Sequence, residues 1–184
     1  MNGGRDERFC VWGLQGSTDG RTRGRMAALV ARLPRFGWEL EATLATVGSD
    51  GHWPPTMAFW RVPDEDALVA RLDAGGEDGF DESEVVEGSA RLYRHVRGAI
   101  PPGAGAFLVE QVIVPDPRTL TDISGPDLVL AEELAPWQAL LVWAADDLFA
   151  LARREQEGVG STRDPRCREV TGWWATRMPE REIV

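Results

Sequence analysis

The run FGWELEATLATVGSDGHWPPTMAFWRV, residues 36–62, decides how the fold of this chain is read. From Trp38 to Val47 the side chains suit a pleated strand, and a second apolar run follows from Thr56 to Val62. Between them Gly48-Ser49-Asp50-Gly51 supplies turn chemistry: glycine reaches backbone conformations other residues avoid, and Ser and Asp can bond their own backbone. The stretch predicts a β-hairpin. It also carries one of the two histidines, His52, and three of the eight tryptophans.

Upstream, Phe9 to Leu14 reads as a short apolar strand, and Met26, Leu29, Val30 and Leu33 recur at helical spacing over Arg23 to Leu33, stopped at Pro34. Downstream, Asp64 opens a helix with a modest apolar face of Ala67, Leu68, Ala70 and Leu72. A second helix is predicted from Asp81 or Ser83 to about Arg97, its acids early and its arginines late, as the helix dipole prefers. Val85, Ser89, Leu92 and Val96 share one side of it, with His95 at the edge. Ala106 to Val114 is the clearest strand of the chain, and Asp127 to Ala131 a short one. Pro136 to about Glu157 reads as a long core helix whose apolar stripe holds Trp137, Leu140, Leu141, Ala144, Leu148 and Leu151. Arg168 to Met178, with Trp173 and Trp174, reads as the last strand. No internal repeat is visible, although a strand-helix-strand theme recurs in both halves.

At 184 residues the length fits one domain, here residues 9–184 behind a loose tail of residues 1–8. With 43% hydrophobic and 27% charged residues, the composition is that of a folded soluble globule. No apolar run approaches a membrane span and the N-terminus has no signal-peptide core, so a cytoplasmic protein with no membrane partner is expected. Cys10 and Cys167 set neither a disulfide framework nor a metal cluster. All 20 basic residues are arginine, which reads as GC-rich bacterial coding. The net charge of −10 argues against nucleic acid, whose phosphates need clustered cations. Ten acids against Arg71 alone lie between Asp64 and Glu87, a local charge of −9.

The element order gives an α+β domain, ferredoxin-like or of α/β-barrel type, with an antiparallel or mixed sheet and helices packed on one face. Leu33-Pro34-Arg35-Phe36-Gly37, the strand through Thr43-Leu44-Ala45, the Ser49-Asp50-Gly51 turn and Ala58-Phe59-Trp60-Arg61-Val62-Pro63-Asp64 resemble the middle of dimeric α/β-barrel proteins of the antibiotic-biosynthesis monooxygenase type. The resemblance covers about residues 27–72, and Trp60 stands where that pattern often has a tryptophan. It implies small-molecule chemistry without a cofactor, and it makes the chain beyond about residue 75 an elaboration or a diverged second repeat.

The residues themselves leave two readings open. In one, an aromatic-lined pocket between sheet and helices, with Trp12, Trp60, Trp174 and the neighbouring Arg61 as ligand-binding residues, takes a small hydrophobic or aromatic molecule of polyketide type. His95, Tyr93 and His52 are then the candidate catalytic residues, since acid-base work needs a group titrating near neutrality or a phenol within reach. The resemblance implies that such a protein, and a ligand of polyketide type, belong to bacterial specialised metabolism. In the other reading, the acidic 64–87 region is a contact face for a basic protein, as in an immunity protein or antitoxin. A second copy of the chain is a further candidate partner. Adjacent Trp173 and Trp174 must face opposite sides of a strand, as must Phe59 and Trp60. No phosphate loop, nucleophile elbow or metal-ligand spacing is present, so no cofactor and no metal are expected.

Overall fold

The computed structural model describes residues 7–14, 27, 30–49, 55–62, 64, 66, 88–157 and 164–178. The hairpin of residues 36–62 is there: β2 (Glu39–Ser49) and β3 (Thr56–Val62) pair antiparallel, Leu44 opposite Met57 and Ala45 opposite Thr56. Six further strands complete the sheet: β1 (Arg8–Leu14), β4 (Gly88–Gly98), β5 (Ala106–Ile113), β6 (Leu128–Glu132), β7 (Gln138–Ala145) and β8 (Arg168–Arg177). They close into a barrel in the order β1-β3-β2-β8-β5-β7-β6-β4, and every pairing is antiparallel. An eight-stranded barrel is just wide enough for side chains to fill.

The order resolves into two copies of one topology. Strands one to four lie as 4-1-3-2, and strands five to eight repeat it as β8-β5-β7-β6, the ferredoxin-like arrangement. Two seams, β2 with β8 and β4 with β6, join the copies. The registers agree residue by residue: Cys10 faces Trp60 in the first copy as Leu108 faces Trp143 in the second. Leu44 faces Arg177 across one seam as Leu130 faces His95 across the other. The amide of His95 donates to Glu7 O at 3.0 Å, and the amide of Arg177 donates to Gly105 O at 2.9 Å. A duplication absent from the sequence as a repeat is thus explicit in the backbone.

Alternation along the strands sorts the apolar residues into three layers. The barrel interior holds Phe9, Val11, Phe59, Tyr93, Phe107, Val109, Leu130 and Trp173. The outer face of the first repeat holds Cys10, Trp38, Ala58, Trp60 and Val62, covered by Leu33 in the 3-10 turn Leu33–Phe36. The outer face of the second holds Leu108, Val112, Val129, Leu141 and Trp143, covered by Leu120 and Ile123 and by Leu151 of α1 (Leu148–Gln156). Phe59 and Trp173 point in while Trp60 and Trp174 point out, as alternation requires.

Two predicted helices are corrected. Residues 88–98 are the strand β4, so His95 and Tyr93 sit on a strand; residues 81–87 of that prediction lie outside the described residues. Apolar residues at 92 and 96 fit a helix wheel, but β1 and β6 each need a partner there, and closing the barrel outweighs local preference. Residues 136–157 split into β7 and α1. The run ALLVWA at 139–144 is buried on both faces, one against the barrel interior and one under the cover, and a continuous apolar run of that kind cannot be told from a core helix by periodicity. Trp137, predicted as core, is 50% exposed. No described helix is long and apolar enough to cross a membrane.

Candidate functional site

Trp60 lies at the centre of the first repeat's outer layer. It is fully buried, flanked by Cys10 and Leu40 across its two strand pairings, with half-buried Trp12, Phe36, Leu92 and Met178 packed against the cluster. Its indole nitrogen has no hydrogen-bond partner among the described residues. An indole N–H has one donor and normally finds an acceptor when buried. Leaving it unmet costs about 1–3 kcal/mol, against a net folding stability of about 5–15 kcal/mol. Trp12 and Trp60 lie in this one layer. Trp174 does not join them; it packs on the outer layer of the second repeat.

Tyr93, His95 and Arg61 face the other side of the sheet. Tyr93 is 4% exposed in the barrel interior, where burial, and then the carboxylate of Glu132, push its phenol well above the usual range against the opposing pull of Arg91. Arg91 Nη1 donates to Glu132 Oε2 at 3.1 Å and to Gln138 Oε1 at 3.5 Å, and Gln111 Nε2 donates to the same amide oxygen at 3.1 Å.

His95 and Arg61 belong to a polar network at a barrel mouth. His95 Nδ1 is 3.2 Å from Glu7 Oε2, its Nε2 is 2.8 Å from Gly98 O, and its ring packs on Phe9 with centroids 5.7 Å apart. Arg61 pairs with Glu7 at 3.4 Å, with Glu41 at 2.9 Å and with Glu39. Desolvation opposes its charge, but the surrounding carboxylates outweigh that and raise its pKa further. Arg177 then links the second repeat to the network, donating from Nη1 to Glu41 O at 3.3 Å. The mouth binds its own charges to one another, which is the work of a structural clasp.

His52 lies outside the described residues, as does the acidic 64–87 region apart from Asp64 and Asp66. Sequence reasoning missed Trp143, which it placed in a helix, and Arg177, for which a signal exists only in the strand assignment of Arg168 to Met178. Among the described residues, no group of three or more His, Cys, Asp or Glu is placed to hold a metal ion.

No family model and no curated protein matches the sequence. Solved structures do match the fold along nearly its whole length. A provisionally named monooxygenase from Lactobacillus acidophilus NCFM is 10% identical, with 94% of each chain covered and a TM-score of 0.60. An anthrone oxidase-like protein is 12% identical over 96% of this chain and 93% of its own, with a TM-score of 0.57. A variant of the chlorite dismutase from Candidatus Nitrospira defluvii is 12% identical over 96% and 92%, with a TM-score of 0.55. The chain is similar to these proteins in fold, an α+β barrel.

Proposed function

We propose that this chain binds a flat, neutral aromatic molecule of polyketide type in the outer layer of its first repeat, with Trp12 as edge and Trp60 as hydrogen-bond donor. The observation that carries this reading is the buried, unpartnered N–H of Trp60 in a layer of apolar and aromatic side chains. Such a lining favours burial of an aromatic body, and a lone donor calls for a ligand with an acceptor such as a ketone oxygen. The shared fold with an anthrone oxidase-like protein and a provisionally named monooxygenase fits a role in specialised metabolism.

Cofactor-independent oxidation is the enzymatic form of this reading, and simple binding the other. His95 and Tyr93 face the barrel interior, so proton transfer to a ligand in the outer layer has to come from that layer's own groups or from solvent. The test is titration with 9-fluorenone, a flat neutral ketone, followed by tryptophan fluorescence. Saturable quenching is expected, with Trp60→Phe weakening affinity by about two- to tenfold, the worth of one hydrogen bond. Absence of saturation sinks the reading. Oxygen uptake with anthrone then separates an enzyme from a binding protein.

A further inference from the structure

Trp60 and Trp143 are the same position of the two repeats. Trp60 pairs with Cys10 on the strand that leads the first repeat, and Trp143 pairs with Leu108 on the strand that leads the second. Both point to the outer layer of their own repeat, both are at most 1% exposed, and both indole nitrogens lack a hydrogen-bond partner among the described residues. One orphaned donor is an isolated defect. Two at equivalent positions of the duplicated unit call for one explanation, because buried polar groups are otherwise hydrogen-bonded.

The loop beside Trp143 is tied down by arginines: Asp122 O accepts from Arg166 at 2.9 Å, Pro126 O from Arg97 at 3.3 Å and Gly125 O from Arg154 at 3.4 Å. Arg97 also holds Ile123 O. Gly125 itself is exposed and has φ +104°, and a Cβ placed on it would meet one heavy atom within 4 Å, the Trp143 indole nitrogen at 3.4 Å. A side chain at 125 would therefore stand against the buried donor, where glycine adds no atom.

We infer that the duplication carries two ligand sites, one per repeat, in which Trp60 and Trp143 are equivalent donors to a ketone oxygen of a flat apolar ligand. This rests on the reading of the Trp60 layer given above. The second site takes the same chemical class, since Leu120, Ile123, Leu141 and Leu151 give it an apolar lining and its free donor is again a single indole N–H. Filling requires the loop over Trp143 to part from the sheet.

The experiment uses the full chain labelled with 15N at tryptophan and titrated with 9-fluorenone. The indole N–H signals of Trp60 and Trp143 are assigned from Trp60→Phe and Trp143→Phe, and calorimetry gives the stoichiometry. Two signals shifting saturably and two ligands per chain are expected in the wild type, with the second site weakened about two- to tenfold in Trp143→Phe, the worth of one hydrogen bond. Gly125→Ala is expected to suppress the Trp143 shift and leave that of Trp60. A response at Trp60 alone, with one ligand per chain, overturns the second site and leaves the first. No response at either indole overturns both readings. The wild-type titration by itself gives the stoichiometry, so a variant that fails to fold does not spare the proposal.

Discussion

His95 and Arg177 occupy one position of the two repeats and do one job with different chemistry. Each faces a leucine across a seam, Leu130 and Leu44 respectively, and each lies against the phenylalanine that opens its repeat. His95 packs on Phe9 at 5.7 Å between ring centroids, and the Arg177 guanidinium stands 5.5 Å from the centre of the Phe107 ring. Arg177 goes further, donating to Ala104 O at 2.8 Å and to Glu41 O and Pro101 O at 3.3 Å each. Arg177→Ala is expected to lower stability by about 2–3 kcal/mol, since it removes a donor from three carbonyls, of which Pro101 O keeps the Ala104 amide, and loses a cation-π contact. His95→Ala is expected to cost about 1 kcal/mol, as its contact with Glu7 is partly exposed. Urea unfolding of the two variants checks the order; equal losses would mean the seams are not held in this way.

Tyr93 is the single tyrosine, so its ionisation can be followed alone by absorbance. Burial first, and Glu132 second, raise its pKa far above that of a free phenol. A raised acid pKa leaves folding stability untouched below the unfolded value and erodes it above, because the unfolded phenol ionises first. No phenolate signal is therefore expected near pH 10 in the folded protein, and its appearance should coincide with loss of native circular dichroism. A reversible titration near pH 10 would place Tyr93 in water.

Cys167 is half-buried, and burial, followed by Asp164 and Glu110, pushes its thiol up to about 11. Its alkylation by iodoacetamide should remain slow at pH 8 and rise through pH 11, since the thiolate is the reactive form. The sign is that of Tyr93: stability is intact below the unfolded thiol value and declines above it. In Cys10→Ala, a rate profile centred near pH 9 would contradict the assignment.

Two tryptophans offer a contrast in burial. Trp173 is fully buried in the barrel interior and Trp137 is half exposed next to β7. Trp173→Ala should cost about 3–5 kcal/mol, a transfer loss plus a cavity that a closed barrel cannot collapse. Trp137→Ala should stay within about 0.5 kcal/mol. Thermal unfolding separates them, and comparable losses would show that residues 136–157 pack as a core helix after all.

The parts of this fold that could be read from the sequence are those where one signal stood alone. The hairpin of β2 and β3 had turn residues between two strand-like runs, and β5 had a strand run between prolines and glycines. The strand β4 had two competing periods, since Leu92 and Val96 fit a helix while Arg91, Tyr93 and His95 alternate with them as a strand. Only the need of β1 and β6 for a neighbour decides between these, and that need is a property of the closed barrel. The duplication escaped for a related reason. Equivalent positions hold His95 and Arg177, or Cys10 and Leu108, residue pairs that share a place in the pleat and no chemistry. Of the candidate site, Trp12 and Trp60 were legible together, whereas Tyr93 and His95 were given to the pocket side of the sheet because their strand was read as a helix.

The two seams also set the order in which the chain can be completed. Strands one to four can pair among themselves as soon as they are synthesised, but β2 and β4 then present bare edges until β8 and β6 arrive, and β8 brings residues 173–177 to residues 44–49 across most of the chain. Contacts of that sequence separation form slowly, and unpaired edges in the meantime invite pairing with another chain. A half-made copy has the same complementary edges as the missing half. The closed barrel is thus aggregation-resistant when finished and vulnerable while nascent, and truncation after β4 is the lesion that would turn that vulnerability into strand exchange between chains.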